Sequence, residues 1–159
     1  MIKYLIIDVD GTLTDGLVYI GNSGELCKGF YVRDGLGIQR IIKAEIVPII
    51  LTSRESDIVI NRCRELGINE IHQGISNKRV YLERLMQEKN ILNDELAYIA
   101  DDINDLEAIQ LANVRACPQD AVKEMKDICN FISRYNGGRG AVRELCDYLL
   151  EFNRGRIQS

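Results

Sequence analysis

The sequence predicts an α/β fold, a mainly parallel sheet with helices on both faces and a β-hairpin flap after the first strand. Three observations carry this. Short continuous apolar runs recur along the chain, helix-like stretches separate them, and one Gly-rich turn interrupts the alternation early. Strands covered on both faces read as unbroken apolar runs, and strands alternating with helices build a parallel sheet.

Lys3 to Val9 contains Tyr4-Leu5-Ile6-Ile7, which fits a first buried strand ending in a polar, Gly-containing loop. Leu17 to Ile20 and Leu26 to Val32 are strand-like and flank Gly21 to Glu25, a strong turn signal. This hairpin is expected to project from the carboxyl end of the sheet, where ligands bind in open α/β folds. Further strands are expected at Val47 to Leu51, around Ile71, at Ala97 to Ala100 and at Val114 to Ala116. Helices are expected at Gly35 to Ala44, Ser56 to Leu66, Asn77 to Lys89, Asp105 to Ala112 and Asp120 to Lys126. A loop at Asn136 to Gly140 precedes an amphipathic helix from Ala141 to about Phe152. With no repeat, low-complexity tract or linker, this reads as one Rossmann-like domain over residues 1–159, its C-terminal tail about 136–159.

The chain has 159 residues, enough to bury roughly 70% of the surface its unfolded form exposes. Its 20 Lys+Arg against 24 Asp+Glu leave a net charge of -4, which argues against a broad footprint for nucleic acid or an anionic membrane. A small anionic substrate remains compatible. No apolar run approaches the roughly 20 residues that span a bilayer, and Met1-Ile2-Lys3-Tyr4 runs directly into the first strand, so a cytoplasmic location is expected. The five cysteines are scattered without a C-x-x-C pair, which suggests neither a disulfide framework nor a zinc site. His72 is the only histidine, so proton transfer falls to carboxylates, lysine or metal-bound water.

Asp8-Val9-Asp10-Gly11-Thr12 stands where the first strand ends, and side chains two apart on a strand point to the same side. Two carboxylates about 4 Å apart repel by roughly 4 kcal/mol at an effective dielectric of 20, so the pair requires a cation or a shared proton. A solvated turn would also carry these residues. A calcium loop would not: Gly11 comes too early, and the twelfth position from Asp8 is Tyr19 rather than Glu.

Ala100-Asp101-Asp102-Ile103-Asn104-Asp105 follows another apolar strand. Side by side, the two strand ends would make an oxygen-rich pocket suited to Mg²⁺, although Asp102 or Asp105 could equally cap the following helix. Thr52-Ser53-Arg54 follows a third strand. Hydroxyls, backbone N–H groups and a guanidinium there suit phosphate or carboxylate oxygens, or the hydroxyls simply begin a helix. Lys78 and Arg79 open a helix, where cations cost about 0.3–1 kcal/mol each unless an anion is near. Lys78 is the inward-facing candidate, held against Asp8 and a phosphate, while Arg79 is expected in solvent.

These four elements, in this order, resemble the haloacid dehalogenase superfamily of phosphotransferases. The resemblance implies Asp8 as nucleophile, Asp10 as acid/base, Thr52 and Lys78 as the second and third motifs, and Asp101 with Asp105 as the acidic fourth. Mg²⁺ would be held by Asp8, Asp10, Asp101 and Asp105. Asp8 to Gly16, Val32 to Gly37, Gly74 to Lys78 and Gly137 to Ala141 look like the capless 3-deoxy-D-manno-octulosonate 8-phosphate phosphatases. Ser53 and Ala100 stand where that family usually has glycine.

This narrower resemblance implies a phosphorylated keto-sugar acid as substrate and a homotetramer in which the hairpin and a neighbour's tail help close the site. It also implies substrate contacts from Asp10, Tyr31, Val32, Arg33, Asp34, Gly35, Ser53, Arg54, Arg62, Lys78 and Arg139, the last reaching an adjacent subunit. A nine-carbon keto-sugar acid phosphatase, and a non-catalytic oligomerisation domain linked to sugar-acid nucleotide activation, are the competing readings.

Overall fold

The structure, a computed structural model, describes residues 1–155; the final four residues of the expected tail lie outside them. Strands β1 (Tyr4–Ile7), β4 (Val47–Leu51), β5 (Glu70–His72), β6 (Leu96–Ile99), β7 (Val114–Cys117) and β8 (Phe131–Ile132) form one sheet. Its order is β5-β4-β1-β6-β7-β8, and every pairing is parallel. β1 lies between β4 and β6, so the chain builds one side of the sheet and then crosses to the other. That reversal leaves a crevice at the carboxyl ends of β1 and its neighbours, where α/β sheets accept ligands.

Among the described residues six α-helices cover the sheet. α1 (Val32–Lys43), α2 (Asp57–Leu66) and α6 (Ala141–Asn153) pack on one face through Ile38, Ile41, Val59, Cys63, Leu145 and Leu149. α3 (Lys78–Lys89), α4 (Leu106–Ile109) and α5 (Lys123–Ile128) cover the other through Leu82, Leu85, Ile109 and Met125. The strands supply both cores alternately: Leu5 and Ile7 face α1 and α6, whereas Ile6 faces α3. Each such fully buried aliphatic side chain is worth about 1.5–3 kcal/mol relative to exposure.

Between β1 and α1 the chain forms a tight turn, Val9–Leu13, and then the hairpin of β2 (Tyr19–Gly21) and β3 (Gly24–Cys27). The hairpin is shorter than the apolar pattern suggested. Tyr31 accepts hydrogen bonds from the Asp34 and Gly35 amides through its carbonyl, so the chain turns helical at Val32. α4 is likewise shorter than expected, ending at Ile109 rather than Ala112, and a 3₁₀ turn at Ile103–Asp105 precedes it. α5 begins three residues late, at Lys123. No helix among the described residues is long and apolar enough to cross a membrane.

Candidate active site

Ile7 pairs with Ile99, and the Asp8 amide donates to the Ile99 carbonyl at 3.1 Å. The acidic segments after β1 and β6 therefore start side by side. Gly11 has φ +89°, a left-handed conformation that glycine adopts freely. Asp101 uses the missing side chain, since a Cβ on Gly11 would lie 2.0 Å from its Oδ2. The Thr12 hydroxyl donates to Asp101 Oδ1 at 3.3 Å, and the Asp101 and Asp8 carboxyls are themselves within hydrogen-bonding reach.

The loop 137–140 braces this turn from behind. The Gly138 amide donates to the Thr12 carbonyl at 3.0 Å, and a Cβ on Gly137 would lie 1.8 Å from the Gly11 carbonyl oxygen.

Lys78, in the first turn of α3, is buried, with Nζ 2.8 Å from Asp8 Oδ1 and 2.7 Å from Asp105 Oδ1. Burial works against this ammonium, but Asp8 and Asp105 outweigh it and hold its pKa above the usual lysine value. Asp105 also accepts from the Tyr98 hydroxyl at 2.6 Å. Burial pushes the Asp8 carboxyl up to about 8, with Asp105 adding repulsion and Lys78 opposing both. Asp101 is raised to about 6, chiefly by burial and then by Asp102. One buried lysine thus faces two carboxyls that burial disfavours as anions, with Asp101 a third beside Asp8.

The expected four-carboxylate metal set does not assemble. Among the described residues no three His, Cys, Asp or Glu side chains are placed together to hold an ion. Asp105 is consumed by Lys78 and Tyr98, and the Asp10 side chain turns away toward the hairpin. Asp8 and Asp101 remain. A pair of buried, adjacent carboxylates short of positive charge fits Mg²⁺, which is commonly held by one or two carboxylates and keeps its other positions for water and phosphate. Asp102 caps the following turn, accepting from the Ile103 amide at 2.7 Å.

Asp10 points to a cationic corner that the sequence did not announce. Lys28, on the chain leaving β3, has its side chain fully covered and Nζ 2.5 Å from Asp10 Oδ1. Arg54 Nε is 3.9 Å from Asp10 Oδ2. Glu25 ties the same corner to α2: it lies 3.1 Å from Lys28 and 3.6 Å from Arg54, and it accepts from the Ser56 hydroxyl. Ser56 therefore occupies the N-cap position of α2 without capping it. A hairpin lysine is ordinarily solvated, and nothing in its neighbours in sequence marks this one as different.

The remaining expected residues divide into groups. Thr52 is buried at the end of β4, and Ser53 and half-exposed Arg54 stand beside the acid cluster, with Asn104 3.5 Å from the Ser53 hydroxyl. Tyr31, Arg33 and Arg139 line a separate cleft of about 470 Å³ between the starts of α1 and α6, and neither Asp8 nor Lys78 borders it. Val32 is open to solvent.

Asp34 and Gly35, expected among the substrate contacts, are buried at the start of α1. The Asp34 carboxylate accepts from the Arg143 and Gly140 amides, so it caps α6 instead. Arg62 packs against Gly35 and Phe30 and pairs with Glu65 at 2.8 Å. These placements follow from helix packing, which short motifs do not encode.

A family model for haloacid dehalogenase-like hydrolases matches residues 56–145. The chain is 41% identical over 149 residues to the 3-deoxy-D-manno-octulosonate 8-phosphate phosphatase of Escherichia coli, covering 94% of this chain and 79% of that protein. The Moraxella catarrhalis phosphatase of the same name superposes with a TM-score of 0.92 at 36% identity, covering 98% of this chain and 89% of that one. That crystal structure contains a magnesium ion, a phosphate ion and a KDO molecule. The cobalt-bound Haemophilus influenzae deoxy-D-mannose-octulosonate 8-phosphate phosphatase also superposes with a TM-score of 0.92, at 35% identity over 98% and 91% of the two chains.

Proposed function

The chain belongs to the haloacid dehalogenase-like hydrolases and, within them, to the 3-deoxy-D-manno-octulosonate 8-phosphate phosphatase family, and from that premise we propose that it hydrolyses this sugar-acid phosphate to the free acid and inorganic phosphate. One observation carries the reading: Lys78 Nζ, buried between Asp8 and Asp105, fixes Asp8 at the sheet's switch point beside Asp101.

In this reading Asp8 attacks phosphorus in line, giving an aspartyl-phosphate as the ester bond to the sugar oxygen breaks. Asp10 protonates that departing oxygen, then takes a proton from the water that hydrolyses the acyl phosphate. Lys78 holds Asp8 and offsets charge on the transferred group, as phosphoryl transfer requires. Thr52, Ser53 and the amides after β4 would take phosphate oxygens, and Arg54 the substrate carboxylate. Mg²⁺, held by Asp8, Asp101 and the Asp10 backbone carbonyl, would supply the charge neutralisation that the buried carboxylates lack.

The hairpin exposes Leu17, Tyr19, Ile20 and Leu26, an apolar surface that supports assembly into a homotetramer. In that assembly the cleft bearing Tyr31, Arg33 and Arg139 would face a neighbour's substrate. The chain acts as one domain and, with five free cysteines, suits the reducing cytoplasm.

Phosphate release from the eight-carbon and nine-carbon sugar-acid phosphates, with Mg²⁺ and after chelation, tests the proposal. Faster release from the eight-carbon ester that stops on chelation is expected. Preference for the nine-carbon ester would overturn the substrate, and no release from either would favour a non-catalytic role.

A further inference from the structure

Lys28 has no part in the chemistry above, yet its ammonium is withdrawn from water. Its side chain is fully covered, although the hairpin around it is largely exposed. Withdrawing an ammonium from water costs several kcal/mol unless carboxylates and good geometry offset it. Two carboxylates do so here, Asp10 at 2.5 Å and Glu25 at 3.1 Å. Glu25 is in turn fixed by the Ser56 hydroxyl at the start of α2. The hairpin thus forms a bracket running from the beginning of α2, through Glu25 and Lys28, to the carboxylate of Asp10.

We propose that Lys28 is a positioning residue for Asp10, orienting its carboxylate for proton transfer whenever the hairpin is seated. The Asp10 carboxylate is held from two sides: Lys28 Nζ lies 2.5 Å from Oδ1, and Arg54 Nε lies 3.9 Å from Oδ2. Lys28 makes the closer contact and its side chain is covered, whereas Arg54 is half-exposed, so Lys28 is the firmer anchor of this side chain. A hairpin lifted from α2 would release Asp10, so covering the site and aiming its acid become one event.

The inference rests on the reading of Asp10 as the proton-transfer group. Leaving-group dependence separates the two. An alkyl phosphate needs a proton on its departing oxygen, whereas p-nitrophenyl phosphate expels a stable phenolate without one. In single-turnover assays of the full chain with Mg²⁺, Lys28→Met is expected to slow cleavage of 3-deoxy-D-manno-octulosonate 8-phosphate about 100-fold. First-turnover release of p-nitrophenolate should stay near the wild-type rate, and KM for both esters should hold. Lys28→Arg should restore part of the loss. Lys28→Gln, which keeps a donor without charge, should show the same pattern more weakly and serves if the methionine variant does not fold.

Equal slowing on both esters, or on neither, would overturn the role of Lys28. Asp10→Asn must itself discriminate between the esters. If it does while Lys28→Met does not, the Lys28 inference alone fails; if Asp10→Asn shows no discrimination, the reading of Asp10 fails and takes the inference with it.

Discussion

Asp101 Oδ2 occupies the space that a side chain on Gly11 would fill, 2.0 Å from the position of the absent Cβ. The two acidic loops can close on each other only because residue 11 is glycine, and its φ of +89° would strain any L side chain as well. Gly11→Ala is therefore expected to displace Asp101 from Asp8 and to weaken Mg²⁺ binding and turnover by about 100-fold or more, since small misplacements at a reacting centre cost that much. Calorimetric titration with Mg²⁺ reads the first effect independently of the second, and unchanged affinity would refute this use of the glycine.

Lys78 is the shared counter-ion of Asp8 and Asp105. Lys78→Met strands both carboxyls in a buried site and should lower stability by about 3–5 kcal/mol. Adding Asp105→Asn removes one stranded acid and should recover part of that loss, which makes the pair non-additive. Urea denaturation of the single and double variants without divalent cation measures the coupling.

Asp34 gives a pH signature away from the acid cluster. Burial raises its carboxyl from 3.8 to about 6, against the opposing pull of the Arg143 and Gly140 amides. Between these values the folded chain holds a proton that the unfolded chain has released, so the contribution is fully present below 3.8 and is lost as pH rises through 6. Asp34→Asn stays neutral throughout. The stability of the wild type minus that of this variant should fall by roughly 2 kcal/mol from pH 4 to pH 7. Urea midpoints across that range check the slope, and a rising difference would contradict the sign.

The exposed hairpin side chains should matter to assembly more than to folding. Replacing Ile20 and Leu26 together by Glu places charge on the apolar surface and is expected to shift sedimentation from the proposed tetramer to smaller species, with the circular dichroism spectrum unchanged. An unaltered sedimentation coefficient would remove the hairpin from the interface.

The strands around the site were legible because burial on both sheet faces leaves unbroken runs such as Leu5-Ile6-Ile7 and Ala97-Tyr98-Ile99. β8 was not, since two residues paired with β7 carry no period. Phe30-Tyr31-Val32 favours a strand by propensity, yet the Tyr31 carbonyl starts α1 there. Asp8, Lys78 and Asp101 could be picked out because each follows a strand or opens a helix. What Asp105, Asp34 and Lys28 do depends on side-chain directions fixed by distant partners: Tyr98 with Lys78, the α6 amides, and Asp10. No local spacing contains that information.

The account stands or falls on a phosphoryl group passing through Asp8. Rapid acid quench of the enzyme turning over labelled substrate, followed by peptide mapping, locates any covalent phosphate directly. Label on the peptide containing Asp8, absent in Asp8→Asn together with turnover, is the expected result. Full turnover with no labelled peptide, or an Asp8→Asn variant working near the wild-type rate, would contradict it.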